Sequence, residues 1–367
     1  MRQNMANNGE TFYKAKKAFN SFFTNIEVHS ANAAMKIRLN RQVNWLLKGA
    51  EPMSSSYKKE IRTFWRPYKK ISTKYHQFYS TKNEIYDVKY VPSDLYYTVI
   101  DQHFNNRKYG WGVNDKNYYS LYFPHVKQPK VVIRKINGIL YDANYHIISN
   151  KKASKLCDEN KKLIIKPATE SGGGRGIVFW TQNDGTEKLK EILKEGTNLI
   201  VQHIIQQHKD LATVHPNSVN TIRVMSLIMN NEVNILSSVL RMGVDGSKVD
   251  NASMGGITCG VLETGQLKSV AYSLNGDKYE QHPQGSNFSS HIIPNYDKVK
   301  KLVKTCHERM GHFRLVSWDI AISQNGEPVL IEANLRNGGC VSHQFNNGPL
   351  FGNLTSQVLE EVFEGKN

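Results

Sequence analysis

"FRLVSWDIAISQNGEPVLIEAN", Phe313 to Asn334, sets two runs of strand-forming residues around Asn325-Gly326. Asn-Gly between such runs is a hairpin signal. Alternate side chains of a strand share a face, so Glu332 and Asn334 project together beyond the apolar run Val329 to Ile331. With the turn at Asn325-Gly326, Asp319 comes near the level of Glu332 and brings a third oxygen to that face. Asp319, Glu332 and Asn334 then make a set of hard oxygen donors, suited to one or two magnesium ions that bridge phosphate oxygens. The alternative is that Glu332 and Asn334 end a strand where Asn-x-x-Asn-Gly-Gly turns the chain. Against it, the sequence around them offers no counter-charge, and two close buried carboxylates without one are costly.

Outward from this hairpin, "NTIRVMSLIMNNEVNILSSVLRMG" reads as a second one, turning at Asn230-Asn231. Arg223 and Arg241 interrupt its apolar runs. They either face solvent on an open antiparallel sheet or grip a phosphate or carboxylate bidentately as catalytic groups. "DNASMGGI" places Asn251, Gly255 and Gly256 in a loop that either approaches a ligand closely or only connects two strands. Upstream, in "LIIKPATESGGGRGIVFW", Lys166 ends an apolar strand and a glycine loop follows. Backbone N–H groups of Ser171, Gly172, Gly173, Gly174 and Gly176 can approach phosphate oxygens, and Lys166 adds a fixed charge. The lysine precedes the glycines and a strand follows them, so this is not a P-loop; the bland alternative is a flexible turn. "KVVIRKINGILYD", "GIVFW" and "NLIVQHII" read as strands, and "TEKLKEILKEG" as a helix closed by Gly196. The mixture predicts an α+β fold with antiparallel sheets rather than a doubly wound parallel one.

The chain has 367 residues, 39% hydrophobic and 10% aromatic, enough for two or three compact units. No run of about 18 apolar residues is present, which excludes a membrane-spanning helix. The first residues lack the apolar centre of a secretory signal, and Cys157, Cys259, Cys306 and Cys340 are scattered. Both features predict a reducing cytoplasm, with the inner face of the membrane as a possible station. Lys and Arg number 48 against 32 Asp and Glu, a net charge of +16 that favours anionic partners. Much of that charge lies early. In "SYKKEIRTFWRPY", Tyr57, Ile61 and Trp65 recur every fourth residue on one helical face, which leaves Lys58, Lys59, Arg62 and Arg66 for an anionic membrane, a polyanionic glycan, or solvent alone. No zinc-finger spacing or RNA-binding aromatic motif accompanies the charge, so nucleic acid is not expected as a partner. Thirteen histidines show no metal spacing; His203 and His208 are candidate nucleotide contacts.

The order of parts resembles the ATP-grasp superfamily: Lys-Pro at a strand end, a glycine loop, a strand into a hinge, then Asp and Glu-x-Asn on a late hairpin. "VQHIIQQHKDLATVHPNSVNTIRV", "VDNASMGGI" and "IEANLRNGG" are similar to its sugar-transfer-associated group, linked to bacterial surface-polysaccharide synthesis. The resemblance covers roughly residues 90 to 360. Residues 1–110 read as a basic, mostly helical region from their own charge and pattern, and the resemblance implies a lid subdomain over 111–200 and a C-terminal subdomain with the metal site over 201–367, the two clasping ATP. It further implies a hinge at Gln202, His203 and Ile204 that reads adenine, although many relatives carry Glu where this chain has Gln202. Lys116 is implied as a second phosphate-binding lysine, with Lys135 as competitor. Asn220 and Arg336 join Asn251, Gly255 and Gly256 on the substrate side. The implied activity is a Mg2+- and ATP-dependent ligase that joins an amine to a carboxylate through an acylphosphate. A kinase acting on a hydroxyl and a non-catalytic glycan-binding module remain the alternatives.

Overall fold

In the computed structural model, which describes residues 28–169 and 174–363, all strand pairing is antiparallel. The smaller sheet contains β1 (Val131–Ile136), β2 (Ile139–Asp142), β3 (Lys162–Pro167), β4 (Val178–Thr181) and β5 (Leu199–His203), in the order β2-β1-β5-β3-β4. Asn137 and Gly138 join β1 to β2 with φ of 48° and 83°. Two left-handed residues in succession match the twist of a tight hairpin. Helices Asn150–Asp158 and Gly185–Lys194 cover one face, packing Ala153, Cys157, Leu189 and Leu193 onto Leu163, Ile165 and Val201. Gly196, at φ 71°, follows the second helix as expected from the sequence.

The larger sheet holds β6 (Thr221–Met229), β7 (Glu232–Met242), β8 (Ile257–Val261), β9 (Leu267–Tyr272), β10 (Lys278–Tyr279), β11 (Leu315–Ile322) and β12 (Pro328–Asn334), ordered β10-β9-β8-β7-β6-β11-β12. Asn230 and Asn231 turn β6 into β7 with φ of 56° and 59°. One face is mostly apolar: Ile222, Val224, Leu240, Trp318 and Ile320 pack under helix Tyr296–His307, with Ser226 buried against His307. The other face is divided. Its far end, with Met225, Leu227, Met229 and Leu315, is apolar and is covered by residues from the first hundred and from the C-terminal helix Thr355–Phe363.

That cover begins with helix Ser55–Trp65, capped where the Ser54 hydroxyl accepts from Tyr57 N–H at 3.3 Å. Tyr57, Ile61 and Trp65 are buried on its inner side, and Trp65 Nε1 donates to Val88 O at 2.8 Å. At about 2 kcal/mol for each buried side chain, this face holds the helix in place without its exposed cations. The basic N-terminal segment therefore shares a core with the large sheet. Tyr119 and Phe123 also join a large-sheet core, although they lie within the 111–200 stretch.

Candidate active site

Alternation along β3 sends Leu163 and Ile165 into the helix-covered core and leaves Ile164 and Lys166 on the opposite face. The register sets Phe179 of β4 and Gln202 of β5 beside Ile164. With Ile177, these residues give one wall of a cavity an apolar floor. Lys166 is 7% exposed, and burial, followed by the charge of Lys116, pushes its ammonium down to about 8. A shift of that size corresponds to about 3 kcal/mol against the charged form. Among the described residues Lys166 has no ion-pair partner.

The opposite wall is the other end of the large sheet's divided face. Here Asp319 of β11 lies opposite both Arg223 of β6 and Glu332 of β12. The Asp319–Glu332 level is the one expected from the Asn325-Gly326 turn. Arg223 grips Asp319 bidentately, Nε to Oδ1 at 2.8 Å and Nη2 to Oδ2 at 2.7 Å. Arg241 Nη1 donates to Oδ2 at 2.9 Å, and Asn334 Nδ2 to the same oxygen at 3.3 Å. Burial by itself would raise the Asp319 pKa; the Arg223 and Arg241 charges overcome it and hold the carboxyl well below its usual range. The network continues from Arg241 to Asp250 at 3.5 Å, and Asp250 accepts from the backbone and hydroxyl of Thr221. The sequence expectation of carboxylates without counter-charge is thus corrected: the buried guanidinium of Arg241 and the partly buried one of Arg223 neutralise Asp319.

Lys116 links the walls. Its backbone N–H donates to Ala168 O, just past β3, at 3.0 Å, and its ammonium meets Glu332 Oε1 at 2.8 Å. Three residues on, the Tyr119 hydroxyl accepts from Ala333 N–H of β12 at 3.0 Å, which fixes the segment against the strand that carries Glu332 and Asn334. The cavity between the walls measures about 450 Å3. Lys116, Lys166, Gly174, Gln202, His203, Ile204, Arg223, Arg241, Asn251, Asp319, Glu332 and Asn334 all line it.

The donors fit a hard cation in part. Glu332 is 26% exposed, faces the cavity and has Asn334 beside it. A carboxylate offers about four lone-pair sites, and those of Asp319 already receive four N–H donors. Three of the four crowd Oδ2, so Asp319 can offer a metal only the remaining lone pair of Oδ1. Among the described residues no three His, Cys, Asp or Glu side chains converge, so the amide of Asn334 is a necessary part of the set.

Other candidates lie elsewhere. Lys135 is turned away: its ammonium donates to Leu193 O at 2.5 Å and Gly196 O at 2.8 Å, closing the end of a helix. Asn220 is buried and braces a loop through Leu211 O and His215 O. His208 caps the short helix Lys209–Ala212, its Nδ1 accepting from Asp210 N–H at 3.3 Å. Arg336 donates to Arg107 O at 3.3 Å. None of these four lines the cavity. Gly176, at φ 74°, packs where a Cβ would come within 2.9 Å of Pro167, and Gly256 where one would meet Met242 O at 2.8 Å. Those two glycines, with Gly255, serve the turning of the chain rather than the cavity lining. Ser171, Gly172 and Gly173 lie outside the described residues.

Two contributors went unread in the sequence. Asp250 stands next to Asn251, and an acid at that point of a loop was a visible signal. His343, on helix Cys340–Asn347, is fully buried, its Nδ1 paired with Ser237 Oγ at 2.8 Å. Burial and then Arg223 push it down to about 3, so it is neutral near the arginine pair. Nothing in its local sequence marks it.

Residues 98–359 match the family described as sugar-transfer associated ATP-grasp. No curated protein sequence matches the chain. Among solved structures it is similar to the L-amino acid ligase of Bacillus licheniformis, at 16% identity over 69% of this chain and 50% of that one, with a TM-score of 0.38. It is also similar to the ATP-grasp ligase PsnB complexed with a minimal precursor, at 13% identity, 70% and 64% coverage and a TM-score of 0.41. A third is the VanG D-Ala:D-Ser ligase of Enterococcus faecalis, at 15%, 68% and 60% coverage and 0.39. The chain spans half the length of the first of these and less than two thirds of the other two.

Proposed function

Because the chain belongs to the sugar-transfer-associated ATP-grasp family, we propose that it is an ATP- and Mg2+-dependent ligase that joins a carboxylate to an amine through an acylphosphate. The observation that carries this reading is the meeting of Lys116 and Lys166 with Arg223, Arg241, Glu332 and Asn334 around one cavity. The two lysines hold the phosphates of ATP. The apolar floor of Ile164, Ile177 and Phe179 takes the purine beside the hinge Gln202 to Ile204. Glu332 and Asn334 would hold magnesium, which when bound neutralises charge on the phosphates.

A substrate carboxylate oxygen attacks the γ-phosphorus, and the bond to ADP breaks. The amine then attacks the acyl carbon, inorganic phosphate leaves with the bonding electron pair, and the amine loses its proton. Arg223 and Arg241, already fixed by Asp319, stand ready for the charge on the transferred group. The reaction needs no protein nucleophile. It needs enclosure, because water would hydrolyse the acylphosphate. The family context favours a sugar acid or glycan-borne carboxylate as one substrate and an amino acid or other small amine as the other.

The test is ADP release from the full chain over a matrix of sugar acids and amines, with hydroxylamine as trap. ADP release that needs the carboxylate, with a hydroxamate captured when the amine is withheld, supports the ligase. A stable phosphoester in place of the hydroxamate makes the protein a kinase and rejects the reading.

A further inference from the structure

The first described helix, over residues 28–46, has two unlike faces. Leu39 and Val43 are buried on its inner side. The helix is held by Asn32 against Gln102, by Asn40 against the Tyr75 hydroxyl at 3.1 Å, and by Asn44 against Lys74 at 3.2 Å. At 100° per residue, Ile37, Arg41 and Trp45 fall together on the side opposite Leu39, and Lys48 follows in the turn just past Trp45. There Ile37 is 53% exposed and Trp45 62%. A helix whose inner face already packs should be polar outside, yet this one presents a tryptophan and an isoleucine.

The charge around them has one sign. Residues 28–49 contain Lys36, Arg38, Arg41 and Lys48 and no Asp or Glu. An outward aromatic and aliphatic pair among lysines and arginines matches a bilayer interface: the apolar groups enter the headgroup boundary, and the cations meet anionic lipid. Among the described residues no helix is long and apolar enough to cross a membrane, so such contact is peripheral. The family match starts at residue 98, which makes this helix an addition to the matched region. Its Met35, Leu39 and Val43 also border a cavity of about 280 Å3 whose other side includes Asn337 and Gly339, just beyond β12. The outward face therefore lies about one helix diameter, roughly 10 Å, from the chain leaving the candidate metal strand.

We infer that the Ile37–Arg41–Trp45–Lys48 face docks the protein onto an anionic membrane surface. The proposal goes beyond the ligase reading and does not share its test. The full chain is sedimented with vesicles of phosphatidylcholine alone and with vesicles mixed roughly two to one with phosphatidylglycerol, at low and high salt. Binding is expected to the mixed vesicles and to weaken with salt. Trp45→Ala and Ile37→Ser should each lower the partition by about tenfold, and Arg41→Glu with Lys48→Glu should abolish it. Matching thermal melts and ATP affinities would show that these exposed substitutions leave the fold and the nucleotide site intact. Glu332→Gln should bind vesicles like wild type, so a failed ligase reading would leave this one standing. Equal binding to neutral vesicles, wild-type binding by Trp45→Ala, or a dimer that Trp45→Ala dissociates without any vesicle binding would each overturn the inference.

Discussion

On the large-sheet wall of the cavity Asp319 meets two guanidiniums and an amide, whereas on the small-sheet wall Lys166 is buried with no ion-pair partner among the described residues. Both walls bury charge, but only one neutralises it from within. The arginine–aspartate wall is complete without a ligand, so its groups are held in place before any phosphate arrives. The lysine wall is held at a cost, and an anion in the cavity would relieve it. Loss of a group from the first wall should therefore injure the fold, and loss from the second should injure binding.

The sharpest way to break this contrast is Asp319→Asn. It leaves Arg223 and Arg241 buried beside a neutral amide, and stability should fall by about 3–5 kcal/mol in chemical denaturation, with turnover lost as well. A variant as stable as wild type would mean that the arginines are not held by Asp319. Next in size is Glu332→Gln, which keeps a hydrogen-bond acceptor for Lys116. Turnover should fall by about two to three orders of magnitude, the scale of several kcal/mol of lost charge stabilisation, while stability falls less than in Asp319→Asn, because Glu332 is partly exposed. Unchanged turnover would remove Glu332 from the metal set.

Lys166→Met should weaken ATP binding by about 10- to 100-fold in calorimetry and leave stability equal or higher, because the buried charge is gone. The same lysine predicts a pH dependence. Its folded pKa, about 8, lies below the ordinary lysine value of 10.5, so between these values the unfolded chain binds the extra proton. Stability should accordingly rise with pH across that window, while ATP affinity falls as the ammonium deprotonates above about 8. Lys166→Arg, charged at every accessible pH, should flatten the affinity profile. The smallest effect is expected from Lys135→Met, which loses its helix-end carbonyls at about 1–2 kcal/mol and leaves ATP affinity as it was. A drop in affinity there would return Lys135 to the nucleotide.

Much of this arrangement was legible because turns and alternation are local. The Asn325-Gly326 hairpin, with a register shift between Asp319 and Ile320, set Asp319 against Glu332, and period-two alternation put Lys166 on the face opposite Leu163 and Ile165. The pairing of β6 with β11 was not legible, since no turn joins those strands. That pairing brings Arg223 to Asp319, so the arginines and the metal set read as separate features of what is one network. Lys135, Asn220 and Arg336 were misread for a related reason. Their residue types suited a phosphate or substrate, but backbone carbonyls, distant in sequence for Lys135 and Arg336 and nearby for Asn220, accept from them instead. His343 comes from a helix that crosses the sheet after the glycine turn, and sequence spacing carries no trace of that crossing.

The contact between Lys116 and Glu332 also ties two binding events together. A phosphate that draws Lys116 away takes it from Glu332, and a cation that draws Glu332 away takes it from Lys116, which lies beside Lys166. Either ligand alone must break the pair; both together satisfy each half of it. On the proposed reading, nucleotide and divalent ion would bind as a thermodynamically linked couple, each raising the affinity for the other by the same factor, on the order of 5- to 150-fold. A single ion pair between one segment and one strand would in this way keep bare ATP from occupying the site in a form that cannot react.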